Sequence, residues 1–260
     1  MTATSAVHLG ALEVALLAAA GFVAGAVNAV AGGGSLISFP ALLAVGYPSV
    51  AANVTNAVAV LPGYGGGSLA YRRELGGQGR RIAALGATSV VGAIVGARLL
   101  IATPGQLFER VVPFLILFSC ALLAVEPAIS RRLAPTSQGR PAHRSLGLHA
   151  GQLATSVYGG YFGAGLGILL LAVLGLGLRD DLHRLNALKG VLSLIVGAAS
   201  VAYFALFGPV GWSAAGVMVA TSLVGGQVGV TVARRVSPAM LRWMVVAVGV
   251  VVSAVLLARA

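Results

Sequence analysis

Long uncharged apolar stretches fill most of this chain and limit the folds that it can adopt. The longest such stretch, residues 14–71, contains no Asp, Glu, Lys or Arg. A second stretch, residues 146–178, also contains none of them. A helix needs about 20 such residues to cross a hydrocarbon core ~30 Å thick. With 58% apolar and 9% charged residues, the chain has more apolar surface than a soluble core of 260 residues can hide. The alternating pattern of a β-barrel is absent, so the sequence predicts membrane-spanning helices.

Two of the apolar stretches are interrupted by glycine-rich segments that match each other. The first runs Asn28-Ala-Val-Ala-Gly-Gly-Gly-Ser35 and the second runs Tyr158-Gly-Gly-Tyr-Phe-Gly-Ala-Gly165. A shift of 130 residues lays Gly33 on Gly163. Each glycine costs about 1 kcal/mol inside a helix, so both helices are predicted to break there. Breaks at matching places in two halves are typical of secondary transporters and mark their binding sites, so the sequence predicts a carrier.

Arginines are concentrated in short loops beside the predicted spans, where excess positive charge marks the cytoplasmic side. The net charge of +11 therefore reflects membrane topology and not nucleic-acid binding. Residues 11–45 and residues 146–178 are each predicted to form a broken hairpin that enters and leaves on one side. On that assumption 13 of the 17 basic residues lie in cytoplasmic loops. The two halves then have opposite orientations, and both termini lie outside.

The predicted fold is an all-α polytopic membrane protein of two inverted repeats. Each repeat is a broken-helix hairpin followed by three transmembrane helices, which makes about eight to ten helical segments. The first repeat covers residues 11–125, a basic cytoplasmic linker covers residues 126–145, and the second repeat covers residues 146–259. The span before the linker is predicted at residues 108–125.

Each break would place the N-terminus of a short helix inside the bundle, where free N–H groups and the positive helix dipole bind anions. Ser35 is the natural N-cap of the first short helix, and Asn56 and Asn186 would lie alongside the breaks. The alternative, that the glycines only allow close helix packing, stays open. Close packing is the predicted role of four further glycines, Gly92, Gly96, Gly225 and Gly229.

Lys189 is the only lysine beside 16 arginines, and it lies two helical turns inside an apolar span. Ionisable residues inside a membrane usually face the bundle interior and mark substrate or ion pathways. The alternative is snorkelling to the interface, about 10 Å away at 1.5 Å per residue. No carboxylate is predicted at mid-membrane depth, which argues against a carboxylate proton relay and favours a negatively charged cargo.

The predicted substrate site combines the two breaks with polar residues of the neighbouring spans. Its residues are Asn28, Gly33, Gly34, Ser35, Thr55, Asn56, Gly163, Ala164, Gly165, Asn186 and Lys189. The amide and hydroxyl residues of the first half either line the cavity or bond across helices. The sequence has no nucleophile and base at comparable depth, no metal-ligand spacing and no ATP-binding loop. The prediction is therefore a non-enzyme without cofactor or metal, driven by an ion gradient or the membrane potential.

The same segments resemble the TauE/SafE family of sulfite exporters, also called toluene-sulfonate uptake permeases. The motifs are GFVAGAVNAVAGGGSLISFPALL, VAANVTNAVAVLPG with YRREL, YGGYFGAGLGILLLAVLG and LNALKGVL, and the resemblance extends over residues 16–235. It implies a multi-pass carrier of the bacterial inner membrane for sulfite, sulfonates such as sulfoacetate, or related anions. It also implies a binding role for the matching positions, which are residues 32–35, 55–56, 163–165, Asn186 and Lys189. Leu185 stands where the repeat would place a polar counterpart of Thr55, so the two-fold equivalence is incomplete.

The predicted function is the export of sulfur-containing oxyanions by alternating access around a midplane site. An anion channel and an importer of small organic anions are the alternatives, because the sequence does not reveal the direction of transport. The expected partners are the lipid bilayer and a small anion such as sulfite or a sulfonate. The small-residue helix faces are compatible with a homodimer.

Overall fold

The protein is all-helical in the computed structural model, which describes residues 9–30, 33–70, 72–132, 146–178, 180–232 and 238–259. These residues form ten α-helices and one 3-10 helix, and they contain no β-strand. The elements are α1 (Ala11–Val30), α2 (Ser35–Ala44), α3 (Ser49–Ala70), the 3-10 helix Arg72–Leu75, α4 (Gly79–Ala102), α5 (Gly105–Arg132), α6 (Leu146–Tyr161), α7 (Leu166–Gly177), α8 (Leu182–Phe207), α9 (Trp212–Val232) and α10 (Pro238–Arg259). The all-α prediction is confirmed.

Five helices of the described part of the chain are long and apolar enough to cross a membrane. They are Ala11–Asn28, Gly79–Ala102, Gly105–Arg132, Leu182–Phe207 and Ala239–Ala258. Their outward surfaces carry large apolar side chains, and Val91, Phe114 and Leu206 are 57%, 61% and 75% exposed. Apolar surface of this extent is stable against lipid tails and unstable against water.

One set of loops forms a surface that we call the Tyr47 face. Here the turn after α2, which contains Tyr47, meets the turn between α8 and α9. The N–H of Gly211 in the second turn donates to Thr55 Oγ1 over 2.9 Å. The beginning of α5 lies at the same face, where Ser49 Oγ is 3.4 Å from Glu109 Oε1.

The loops at the opposite end of the bundle form the Arg81 face. Arg81, near the beginning of α4, makes an ion pair with Asp180 in the turn between α7 and α8. Gln78 Nε2 donates to the carbonyl oxygen of Arg184 over 3.1 Å, and Asp181 is the N-cap of α8. α3, α4 and α8 contain 22, 24 and 26 residues and connect the two faces. At 1.5 Å per residue they are about 33–39 Å long, enough to cross a bilayer core.

α2 and α7 are half-length helices that lie against opposite faces. α2 has 10 residues and ends at the Tyr47 face, whereas α7 has 12 residues and ends at the Arg81 face. Their lengths of about 15 and 18 Å are near half the thickness of a hydrocarbon core. Their N-termini therefore lie near the middle of the bundle, and these are the positions of the two predicted glycine breaks.

Close helix crossings join the two halves of the chain. α1 packs along α9 and α4 packs along α6, while α3 contacts α8 and α5 contacts α10. A methyl group on Gly96 of α4 would lie 2.0 Å from the carbonyl oxygen of Val157, and one on Gly225 of α9 would lie 2.0 Å from that of Phe22. Only glycine allows two backbones to come this close. The packing role predicted for these two glycines is confirmed.

α5 is longer than predicted. The sequence placed its end at Val125, before a basic linker, but the helix continues to Arg132. The prediction ended the span at Val125 because the next residue, Glu126, is charged. In the structure Glu126 lies inside the helix and is stabilised by an ion pair with Arg242 of α10. Glu126 therefore lies within this candidate span, six residues before its end, and the absence of a carboxylate at mid-membrane depth stays a prediction. Residues 133–145 of the predicted linker lie outside the described residues.

Candidate substrate site

The second break is built by two glycines with left-handed backbone. Gly163 and Gly165 have φ angles of 81° and 77°, which residues with side chains rarely adopt, and Gly165 is the N-cap of α7. The carbonyl oxygen of Ala164 accepts hydrogen bonds from the Tyr158 hydroxyl at 2.6 Å and from the Ser119 hydroxyl at 3.0 Å. These two bonds hold the break against α5 and α6.

The first break is held by the side chain of Asn28, near the end of α1. Its Oδ1 atom accepts hydrogen bonds from the N–H groups of Gly33 at 3.1 Å and Gly34 at 2.9 Å. Gly34 is the N-cap of α2, and Ser35 is the first helical residue, so the predicted cap is wrong by one position. Glycine takes the cap position because its backbone here packs within reach of α1, where a side chain would clash. In this conformation Asn28 already satisfies two N–H groups that an anion would use.

α3 contacts both breaks through two asparagines. Asn56 Oδ1 bonds with the Ser38 hydroxyl, which also lies 3.1 Å from the carbonyl oxygen of Gly34 at the first break. Asn53, one turn earlier, donates from Nδ2 to the carbonyl oxygen of Tyr161 over 2.9 Å, beside the second break. The buried amide row of α3 therefore connects the two broken hairpins.

The two breaks are adjacent in space. The rings of Phe39 in α2 and Phe162 at the second break pack edge to face, with centroids 5.7 Å apart. Methyl groups built on Gly33 and Gly165 would each lie 3.3 Å from one of the neighbouring leucines at 122–123 of α5. The N-terminal ends of the two half-length helices thus lie close together, and one segment of α5 packs against both ends.

Lys189 lies beside the N-terminus of α7. Its Nζ atom donates to Asn186 Oδ1 over 2.8 Å, and a methyl group on Gly167, in the first turn of α7, would lie 3.7 Å from its Cδ atom. Asn186 Nδ2 in turn donates to the carbonyl oxygen of Leu182 over 3.0 Å. Among the described residues, no carboxylate lies within ion-pair distance of the ammonium group.

The predicted site residues therefore fall into two neighbouring groups. The group at the first break contains Asn28, Gly33, Gly34, Ser35 and Asn56, and the group at the second break contains Gly163, Ala164, Gly165, Asn186 and Lys189. Thr55 belongs to neither, because it is fully buried and accepts the Gly211 N–H at the turn between α8 and α9. Gly32 lies outside the described residues.

Sequence reasoning missed three hydroxyl groups that hold the breaks, those of Ser38, Ser119 and Tyr158. Isolated serines in apolar helices usually bond to their own backbone, and Ser119 Oγ does lie 2.8 Å from the carbonyl oxygen of Leu115. No spacing pattern distinguishes such a serine from one that also reaches another helix. Tyr158 was visible in the repeated motif, but its contact with Ala164 depends on the left-handed turn.

Two broken half-length helices that meet inside a bundle of apolar spanning helices are typical of membrane transporters. The comparison of the chain with known families agrees with this class. The sequence profile of the family described as "Sulfite exporter TauE/SafE" matches residues 17–256. The chain belongs to the TauE/SafE family.

Two relatives are similar to the chain over nearly its whole length. A "Probable membrane transporter protein" of Haemophilus influenzae is 31% identical over 233 residues, which are 89% of this chain and 89% of the relative. A "Probable membrane transporter protein ORF9" of Sinorhizobium sp is 29% identical over 252 residues, 94% of this chain and 92% of the relative. No solved structure matches the chain. Family and relatives alike are transporters, and the chain is not an enzyme.

Proposed function

We propose that this chain is a secondary transporter that exports sulfur-containing oxyanions, such as sulfite or organosulfonates, across the bacterial cytoplasmic membrane. The observation that carries the proposal is Lys189, which lies beside the N-terminus of α7 and has no ion-pair partner among the described residues. The family profile supports the cargo class, because it is described as one of sulfite exporters.

An anion is the ligand that best satisfies this arrangement. A cation beside a helix N-terminus is unfavourable, because the ammonium group and the helix dipole are both positive there. A sulfite or sulfonate group would supply negative charge and several acceptor oxygens at the same point. Charge-assisted hydrogen bonds from an ammonium and from backbone N–H groups are about twice as strong as neutral ones. Lys189, Asn186 and the glycine turn at Gly163–Gly165 are therefore proposed as the principal ligands.

Helix pairing supports two inverted repeats, over residues 11–125 and residues 146–259. The two halves contribute five α-helices each to the described chain, so that α1 corresponds to α6 and α4 to α9. The contact between α1 and α9 then corresponds to the contact between α6 and α4. The contacts of α3 with α8 and of α5 with α10 each join a helix to its own counterpart. The counterparts α2 and α7 also end at opposite faces. Rocking one half against the other would open a site between the breaks to each side in turn.

The proposed cargo can be tested by thermal stabilisation of the purified protein with sulfite, sulfoacetate, taurine and sulfate. We expect at least one of these anions to raise the unfolding temperature. We expect Lys189→Ala to weaken its binding roughly tenfold or more, because a hydrogen bond to a charged group contributes about 1.5–3 kcal/mol. Arg98→Ala is the matched control, since it removes an exposed cation from α4 and should leave binding unchanged.

Each result of this experiment has a definite meaning. If none of the four anions stabilises the protein, the proposed cargo class is wrong. If an anion stabilises the wild type and Lys189→Ala equally, Lys189 is not a ligand. Counterflow of the stabilising anion in liposomes then separates a carrier from a channel, because only a carrier exchanges internal for external anion with saturation.

A further inference from the structure

Glu126 is a carboxylate in the interior of α5, close to the proposed anion site. It lies six residues before the helix ends at Arg132, a distance of about 9 Å along the axis. One turn earlier on α5, the leucines at 122–123 pack against both breaks. The Glu126 side chain is only 26% exposed. Ionised carboxylates inside membrane spans are costly and are usually functional.

Arg242 of α10 is the ion-pair partner of Glu126. Its Nη2 atom lies 2.8 Å from Glu126 Oε2, and the Ser130 hydroxyl donates to Glu126 Oε1 over 2.8 Å. The Arg242 side chain is 15% exposed, and its Nε atom is buried without a hydrogen-bond partner in the described structure. The pair therefore connects a helix of the first half with a helix of the second half, and it leaves one buried donor unused.

Glu126 and Lys189 both lie near the second break, because Leu122, one turn before Glu126 on α5, packs against Gly165, and the Lys189 side chain packs beside Gly167. Two cations and one anion, contributed by α5, α8 and α10, thus form a group with net charge +1. We call Glu126, Lys189 and Arg242 the charge triad. α7, which also packs on α5, contains no ionisable residue. The remaining ionisable groups on or beside this part of α5 are Cys120, Arg131, Arg132, Tyr64 and Tyr158.

We propose that Glu126 is the proton-binding group that couples movement of the cargo anion to movement of a proton in the same direction. The proposal rests on the proposed function, because it requires an anion to bind at Lys189. In the empty carrier the Glu126 carboxylate neutralises Arg242. A cargo anion that approaches the two cations repels this carboxylate, and a proton from solution then binds to one of its oxygens.

Charge balance explains why the proton should accompany the anion. The charge triad alone carries +1, and the triad with one monovalent anion and one proton also carries +1. Without the proton, the displaced carboxylate would remain partly buried and unpaired, which is unfavourable because burial removes water that would otherwise solvate the charge. Proton and monovalent anion together cross as a neutral pair, so that transport follows the gradients of the anion and the proton and does not respond to the membrane potential.

The experiment uses the full chain in liposomes with an imposed pH gradient, tested with sulfite, sulfoacetate, taurine and sulfate in parallel. Wild type, Glu126→Gln and Glu109→Gln are compared under identical conditions. Protonation of the free anion in solution then affects all three measurements equally. Glu109 is the matched control, because it is an exposed carboxylate at the other end of α5. We expect the wild type and Glu109→Gln to accumulate anion on the side to which protons flow. We expect Glu126→Gln to retain counterflow and to accumulate at least about tenfold less, the effect of ~1.4 kcal/mol of lost coupling.

Failure of the coupling and failure of the proposed function give different results. Proton-driven accumulation by Glu126→Gln at the wild-type level would overturn the coupling and leave the proposed function intact. Absence of counterflow in the wild type with all four anions would overturn both. If Glu126→Gln does not assemble, the double variant with Arg242→Gln removes both charges of the pair, and proton-driven accumulation in that variant would equally overturn the proposal.

Discussion

At the residue scale, left-handed glycines determine where the broken hairpins turn. Gly33 at the first break has a φ angle of 104°, and Gly163 and Gly165 at the second have angles of 81° and 77°. Any other L-residue in this region costs about 1–2 kcal/mol. The same three positions set the direction in which the N-termini of α2 and α7 begin. Stability and substrate binding are therefore expected to depend on the same glycines.

Gly163→Ala and Gly46→Ala separate these two effects. Gly46 also has a positive φ angle, 95°, but it lies in the turn after α2 with nothing within 4 Å of an added methyl group. We expect both variants to lose about 1–2 kcal/mol of stability, and only Gly163→Ala to lose anion binding. The measurements are the unfolding temperature in detergent and the stabilisation by the best anion of the panel. Equal binding by the two variants would show that the geometry of the second break is not needed.

At the element scale, the crossing of α4 with α6 depends on the absence of side chains. Gly96 faces the carbonyl oxygen of Val157, and Gly160 of α6 faces that of Ala93. The crossing of α1 with α9 has the same character, with Gly225 against Phe22. These two crossings are among the contacts that join the first half of the chain to the second, so assembly of the bundle is expected to depend on them.

We expect Gly96→Ala to destabilise the protein, because the added methyl group would meet backbone that cannot move aside. Overpacking of this kind costs about 1–3 kcal/mol or more. Gly216→Ala in α9 is the control, since nothing lies within 4 Å of its added methyl group. In a helix interior that control should be neutral or stabilising by up to about 1 kcal/mol. Thermal unfolding and size-exclusion profiles compare the two, and an unchanged Gly96→Ala would show that the crossing is looser than described.

A clamp of three charged residues connects α4 with the turn between α7 and α8. Asp180 pairs with Arg81 and, at 3.1 Å, with Arg184. Burial raises the pKa of the Asp180 carboxyl, but the hydrogen bond from Arg81, that from the Asp181 N–H and the charges of both arginines outweigh it. The pKa of Asp180 is therefore lower in the folded protein than its ordinary value.

The stability of this clamp should depend on pH in one direction. A carboxyl with a depressed folded-state pKa stabilises the fold fully above its unfolded pKa of about 3.9, and this contribution is lost as the pH falls below that value. We expect Asp180→Asn to lower the unfolding temperature at neutral pH by roughly 2–4 °C, the effect of about 1 kcal/mol in a chain of this size. The difference from the wild type should vanish in acid. A difference that persists in acid would mean that packing, and not charge, is responsible.

At the scale of the whole molecule, charge distribution indicates which face lies in the cytoplasm. The loops at the Arg81 face carry Arg80, Arg81 and Arg184, whereas the Tyr47 face carries few cations, Arg110 among them. Positive loops remain on the cytoplasmic side during insertion. The Arg81 face is therefore expected to be cytoplasmic, with both termini of the chain outside.

Cysteine labelling of intact cells can test this orientation. Gln106→Cys places a thiol at the Tyr47 face, and His183→Cys places one at the Arg81 face, both at exposed positions. The native Cys120 is buried and should give no background with a membrane-impermeant maleimide. We expect Gln106→Cys to react in intact cells and His183→Cys to react only after the membrane is opened. The reverse result would invert the topology.

Much of the architecture could be predicted from the sequence, because a bilayer makes hydropathy decisive. Both breaks are where glycines interrupt apolar runs, and the two broken hairpins begin and end within one residue of the predicted ranges 11–45 and 146–178. The end of α5 was missed because the charge of Glu126 looks like the end of a span. Its partner Arg242 is 116 residues away in sequence, and no local pattern connects them.

Hydropathy, glycine placement and arginine distribution were sufficient to predict an all-helical carrier with two internal breaks, because each acts locally on whether a segment can enter or cross lipid. Long-range contacts decided how the site is built. Because of these contacts, Asn28 accepts hydrogen bonds from the N–H groups of its own break, and Thr55 accepts one from a distant turn. Lys189 lies beside α7, and Glu126 forms an ion pair. Such contacts depend on which helices cross and at what rotation, and a linear pattern of residues does not contain that information.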